Sequence, residues 1–240
     1  MIGTLVNCGA VIAGGLIGLF FKKGINESFV TSINKALGVA VLIVGLNGVI
    51  STMFCINSDG TLSSSGELLL VIYLVLGTLL GEFLKLDDRL NGLSSKIENR
   101  FHLTGFSAGF VNATILFCVG AMAIIGALND GLTGDSSILF VKSTLDFTAA
   151  IIFAASLGVG VVFSFVPVLL YQGTISLLAG LLGNILVGQV LQQVCTVGYA
   201  IIICIAVNFL ATTKIKTANM LPAIFMPLLY AAILQLKSLL

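Results

Sequence analysis

The sequence predicts an all-α polytopic helical membrane protein with about eight transmembrane helices and an inverted-topology repeat of three-helix units. Three observations carry that expectation. Of the 240 residues, 58% are apolar and 9% are charged, and the mean hydropathy is +1.16, whereas soluble domains average about 25% charged residues. The apolar residues fall into separate runs of bilayer length, each matching the ~20 residues a helix needs to span ~30 Å of hydrocarbon. The runs are continuous and do not alternate polar with apolar over ten-residue segments, which excludes a membrane β-barrel.

Apolar length and breakers delimit eight candidate spans: Ile2 to Phe21, Val30 to Met53, Glu67 to Leu84, Phe106 to Leu128, Ser137 to Phe165, Val168 to Leu191, Val194 to Ala211 and Ala218 to Leu236. Pro167, Tyr171, Gln172 and Gly173 interrupt the long stretch between spans five and six. A short turn is expected there, with a re-entrant pair as the alternative. The N-terminus lacks the basic flank and small-residue cleavage site of a signal peptide, so Ile2 onward is read as the first span.

Charge fixes an expected orientation, because cytoplasmic loops carry excess Lys and Arg. Lys22 and Lys23 follow span one, Lys85, Arg89, Lys96 and Arg100 follow span three, and Lys214 and Lys216 follow span seven. The loops after spans two and four hold Asp59 and Glu67, then Asp130 and Asp135. Eight spans with the N-terminus outside put all three basic clusters in the cytoplasm and leave Lys35, Lys142 and Lys237 elsewhere. The loop after span three, LDDRLNGLSSKIENRF, sets Leu86, Leu90, Leu93, Ile97 and Phe101 on one helical face, as expected of an amphipathic helix on the cytoplasmic surface. His102, the single histidine, closes it without a partner in view.

A net charge of +1 provides no basic patch for nucleic acid. The five cysteines (Cys8, Cys55, Cys118, Cys195, Cys204) show no C-x-x-C or metal-type spacing and read as small buried hydrophobes. No phosphate-binding loop, H-E-x-x-H or G-x-S-x-G string occurs, so neither an enzyme nor a cofactor is expected.

Shifting the chain by 111 residues aligns Gly9 with Gly120, Ala10 with Ala121, Gly15 with Gly126, Phe29, Val30 and Ser32 with Phe140, Val141 and Ser143, and Leu46 with Leu157. The stripe Thr31, Lys35, Gly38, Leu42 and Gly45 in span two then meets Lys142, Asp146, Ala149, Phe153 and Ser156 in span five. The copies lie three crossings apart and so face opposite ways, an architecture that secondary transporters use to build a site near midplane. The organisation expected is one transmembrane domain, 1–240, with repeat 1 at 2–85, a cytoplasmic amphipathic connector at 86–105, repeat 2 at 106–191 and two C-terminal helices at 192–240.

Ionisable groups inside a span cost about 2.5–3.5 kcal/mol at the helix centre on insertion scales. Lys142 and Asp146, spaced i and i+4, can pair, or else snorkel to an interface; Lys35 poses the same alternative. Asn7, Asn34, Asn47, Asn112, Asn184, Asn208 and Asn219 offer carbonyl oxygens suited to hard cations, although buried Asn also simply joins helices. The candidate ion path is Asp146, Lys142, Lys35, Asn34, Asn47, Asn7, Asn208 and Asn219. Glu82, near the end of span three, reads as interfacial. Gly14/Gly18 and Gly77/Gly81 have the small-xxx-small spacing of close helix contacts, within the chain or in a homodimer.

The strings GTLVNCGAVIAGGLIGLFFKKGI, GTLLGEFLKLDDRL, FVNATILFCVGAMAIIGALNDGLTGDSSILFVKSTLD, SLGVGVVFSFVPVLLYQG and TANMLPA resemble those of the bacterial YdfK/YqgA-like multi-pass membrane proteins, domain of unknown function 554. The similarity runs through nearly the whole chain, and the Gly-Asp-rich turn before Lys142 and Asp146 is its most specific part. It implies a multi-pass protein of the bacterial cytoplasmic (inner) membrane and suggests a sodium channel or pump role; it brings no active-site residue with it. The expected function is a transporter or channel for a small inorganic ion or small solute, sodium- or proton-linked. Its expected partners are the lipid bilayer, the transported species and a second copy of the chain. A structural or signalling membrane subunit without transport is the rival.

Overall fold

The computed structural model describes all residues except 23–26, 102–105, 183–185, 187, 212–213 and 239–240. The chain is an all-α polytopic membrane protein. Among the described residues, five helices are long and apolar enough to cross a bilayer: Ile2–Lys22, Thr31–Met53, Ser137–Leu157, Gly160–Leu177 and Gly188–Leu210. A sixth crossing is available if Phe106–Cys118 and Met122–Leu132, bent by 62°, form one span. Large apolar side chains such as Phe20, Ile43, Leu68, Leu79, Leu170 and Ile233 are exposed along these and neighbouring helices, as lipid contact requires.

The chain divides into two compact units, Met1–Ala36 with Arg89–Asn184, and Leu37–Asp88 with Ile185–Leu240. In the first, α1 (Ile2–Lys22) lies along α7 (Ser137–Leu157). Gly3 faces Ser136 and Leu139, Gly14 faces Phe147 and Ala150, and Gly18 faces Ile151 and Ala154. Partner numbers rise together, so the two helices run parallel. A Cβ on Gly14 would lie 2.4 Å from the Phe147 carbonyl oxygen, and one on Gly18 2.2 Å from that of Ile151. In lipid, apolar helices gain little from hiding apolar surface, so such backbone approach and the dispersion contacts it allows hold them together.

The remainder of this unit is α5 (Phe106–Cys118), α6 (Ala121–Leu132), the short α8 (Gly160–Phe163), α9 (Phe165–Leu177) and the short α10 (Ala179–Leu182). Ser176 of α9 donates to the Ala127 carbonyl of α6 at 2.8 Å. The N-terminal end of α2 (Glu27–Met53) and, from Arg89 onward, α4 (Leu86–Phe101) also contribute, α4 as the helix expected of the connector. His102 lies outside the described residues.

In the second unit the rest of α2 runs antiparallel to α11 (Gly188–Leu210). Gly38 meets Phe209 and Leu210, Gly45 meets Ile203, and Gly48 lies against the Tyr199 ring. At the end of this seam the Thr52 and Thr196 hydroxyls pair at 2.8 Å. A hairpin of β1 (Phe54–Ile56) and β2 (Leu62–Ser64) then leads into α3 (Glu67–Phe83). Asp59 accepts the Thr61 hydroxyl at 2.6 Å and the Thr61 amide at 3.0 Å in its turn, which hold its carboxyl below the usual range. Gly77 and Gly81 of α3 lie against Ala223 and Asn219 of a 3-10 helix, Thr217–Phe225, again antiparallel. The last described element is α12 (Met226–Ser238). Both small-xxx-small pairs are therefore occupied inside the chain.

Several expected boundaries shift. Span four breaks at Gly120, whose φ of 117° favours glycine; Asp130, expected in a loop, lies inside α6 and is buried. The turn expected at Pro167–Gly173 is helix. Pro167 occupies the first turn of α9, where its missing N–H has no intrahelical partner to lose, and the break falls instead at Gly158, φ 93°. Span seven begins six residues early, at Gly188, and the last expected span opens as a 3-10 helix containing Pro222.

Gly18→Leu is expected to lower thermal stability in detergent by the ~1–3 kcal/mol of an overpacked contact or more. Gly9→Ala, with nothing within 4 Å of the added carbon, should be neutral or stabilising by up to about 1 kcal/mol.

Candidate functional site

The first unit holds a buried ion pair. On α7, Lys142 and Asp146 project from successive turns and are 5% and 7% exposed. The Lys142 Nζ contacts Asp146 Oδ2 directly. Asp146 is the tenth residue of a 21-residue helix, about 14 Å from its start at ~1.5 Å per residue. The pair is enclosed by protein, so it does not reach an interface by snorkelling.

α1 and α9 complete the surroundings. Asn7, fully buried, donates from Nδ2 to Gln172 Oε1 at 3.4 Å and also faces the Asp146 carboxylate. Gln172 is likewise fully buried. Cys8 and Cys118 lie close enough to the pair to feel its charges, and the Cys8 thiol points to the Phe165 carbonyl at 3.7 Å. At the start of α1, Asp130 receives the Ser136 hydroxyl at 2.7 Å, the Met1 amino group at 2.9 Å and the Thr4 backbone N–H. That carboxylate satisfies orphan donors at a helix N-terminus, where negative charge is favoured.

The other candidates are distributed differently. Asn34 accepts a hydrogen bond from Ser156 on α7, whereas Lys35 is exposed. In the second unit Asn47 is exposed. Asn208 clamps the following turn, donating to the Ile215 carbonyl at 2.8 Å and accepting the Ile215 N–H at 2.6 Å. Asn219 accepts the Asp87 N–H at 2.7 Å and donates to Glu82 at 2.7 Å, while Lys216 lies 3.7 Å from Glu82. Asn208 and Asn219 thus hold loops. Asn184 lies outside the described residues. Of the eight sequence candidates, the structure brings Asp146, Lys142 and Asn7 together, and adds Gln172, expected in a turn, Asp130, expected in a loop, and Thr4, which no sequence pattern singles out.

The second unit contains a separate polar cavity of about 190 Å³ beside the hairpin, lined by Thr52, Ser65, Tyr73, Gln189, Gln192 and Gln193 among others. Tyr73 donates to Gln193 there at 3.0 Å. Its lining has no charged side chain. Among the described residues no group of His, Cys, Asp and Glu is placed to hold a metal ion.

Residues 2–232 match the family described as "Protein of unknown function (DUF554)". The chain belongs to this family. It is 29% identical over 227 residues to "Uncharacterized membrane protein YdfK" of Bacillus subtilis (strain 168), covering 95% of this chain and 94% of that protein. It is 30% identical over 233 residues to "Uncharacterized protein YqgA" of Escherichia coli (strain K12), covering 94% of each. No solved structure matches it.

Removing one partner of a buried ion pair leaves an uncompensated charge and costs about 3–5 kcal/mol, whereas an apolar pair of similar volume is often neutral or better. Lys142→Met and Asp146→Leu are each expected to lower the melting temperature in detergent, and the double variant to recover most of the loss.

Proposed function

We propose that this membrane protein is a transporter or channel for a small inorganic ion or small solute, with Asp146 and Lys142 as its exchanging pair. The observation that carries the reading is a carboxylate and an ammonium buried together about halfway along an apolar helix. Insertion scales put the cost of one such charge at about 2.5–3.5 kcal/mol, and intramembrane charges mark ion and proton paths. In the resting arrangement the Lys142 ammonium occupies the carboxylate as a tethered cation. A proton or a metal cation entering from solution competes with it for Asp146, which couples occupancy to displacement of Lys142.

Helix directions support the topology this requires. Since α1 and α7 are parallel, an odd number of crossings separates them, which α2, α3 and the bent α5–α6 pair supply as three. The antiparallel contacts of α2 with α11 and of α3 with the 217–225 segment fit the same count, with α8–α9 as the sixth crossing and eight in all. In that count α2 and α7 cross in opposite directions, as inverted repeats demand. An outside N-terminus then puts the basic clusters in the cytoplasm of a bacterium, at its inner membrane.

A non-transporting structural subunit is favoured by one observation, the commitment of Asn208 and Asn219 to loops. Flux separates the two readings. Purified protein in liposomes is expected to carry protons or sodium ions, and Asp146→Asn to reduce the rate tenfold or more. The double variant Lys142→Met/Asp146→Leu should fold yet carry nothing. Absence of flux of any ion or solute by folded wild-type protein supports the structural reading.

A further inference from the structure

A column of polar atoms leads to the ion pair from one end of α1. Thr4 and Asn7 lie one turn apart on α1, about 5–6 Å between Cβ atoms, with Gln172 of α9 opposite Asn7. All three are fully buried. Among the described residues, the Thr4 hydroxyl, the Asn7 Oδ1 and the Gln172 Nε2 have no hydrogen-bond partner. Leaving a buried polar group unpaired costs about 1–3 kcal/mol, so three together call for a ligand.

The chemistry of that ligand follows from the donors and acceptors. Asn7 Oδ1 only accepts and Gln172 Nε2 only donates, while Thr4 does both. Exchanging N and O in both carboxamides would keep their mutual hydrogen bond but turn the Asn7 oxygen onto the Asp146 carboxylate, so the assignment stands. A bare metal cation satisfies the acceptor and repels the donor. Water satisfies both.

The polar column has two ends. At the Met1 end are the Met1 amino group, Asp130 and Ser136, and at the inner end Asn7 faces Asp146, paired with Lys142. Among the described residues, these and the neighbouring thiols Cys8 and Cys118 are titratable groups beside it. Beyond Asn7 on α1 the packing is apolar. Val11, Ala150 and Ala154 are fully buried, and the α1 backbone touches α7 at Gly14 and Gly18.

We infer that Thr4, Asn7 and Gln172 bind a file of water that connects Asp146 to the Met1 end of α1 alone, making this structure a one-sided access state of a proton-exchanging carrier. The access claim stands on its own geometry; the carrier claim rests on the transport reading.

Hydroxyl-radical footprinting of the unmodified protein in nanodiscs tests access without requiring transport. The peptide holding Thr4–Cys8 should be modified at least fivefold faster than residues 11–18. In a background lacking the native cysteines, Thr4→Cys should react with a small membrane-impermeant methanethiosulfonate from one side only, and Val11→Cys from neither. Equal protection of both peptides, or labelling of Thr4→Cys from both sides, overturns the inference. Sodium ions should not raise the melting temperature; a sodium-dependent rise that Thr4→Val abolishes would replace water by a metal ion and also overturn it. In liposomes Thr4→Val and Gln172→Met should slow proton flux about tenfold, with Thr4→Ser near wild type, and unchanged rates overturn the relay. One-sided access without wild-type flux would leave the water site standing and remove the transport reading.

Discussion

Hydrocarbon cannot solvate a charge, and the arrangement of the first unit follows from that constraint. Lys142 and Asp146 neutralise one another on α7, but a carboxylate has more lone pairs than one ammonium fills. α1 brings Asn7 to it, and α9 brings Gln172 to Asn7. That convergence requires α1 to approach α7 closely, which the glycines at 14 and 18 permit by presenting backbone to backbone. Side-chain size on one helix and charge on its neighbour are thus a single requirement expressed at different positions.

The two units solve the lipid problem in related ways. Each relies on a glycine-lined seam: Gly14 and Gly18 against α7, and Gly38, Gly45 and Gly48 against α11. They differ in what the polar residues do. In the first unit buried polar side chains gather around a charge, while in the second Asn208, Asn219 and Glu82 secure chain reversals at helix ends. The same residue type, asparagine, serves both, and only the surroundings distinguish them.

That distinction explains what the sequence could and could not disclose. Hydropathy exposes apolar runs directly, so the all-α membrane class and the first two helices were legible. The i, i+4 spacing exposed the Lys142–Asp146 pair because both partners share one helix. Gln172 was hidden by Pro167 and Gly173, which look like turn residues; a proline in the first turn of a helix costs nothing, and only the chain before it reveals which turn it occupies. Asp130 and Thr4 are far apart in sequence, and their contact depends on α6 meeting the start of α1. The break at Gly120 was equally concealed, since glycine is common in tightly packed membrane helices and only its positive φ marks a bend.

The interleaved division of the chain bears on its biogenesis. Residues 37–88 emerge from the ribosome before the whole of 89–184, yet their own neighbours are 185–240. The earlier-formed half can assemble while α2 and α3 wait in the bilayer with Gly45, Gly77 and Gly81 uncovered. Asn219, which ties the end of α3 to the start of α4, arrives almost last. Synthesis must therefore finish before the junction between α3 and α4 is fastened, and a nascent chain truncated ahead of position 217 would have α11 to cover Gly45 but would leave Gly77 and Gly81 open to whatever helix passes by.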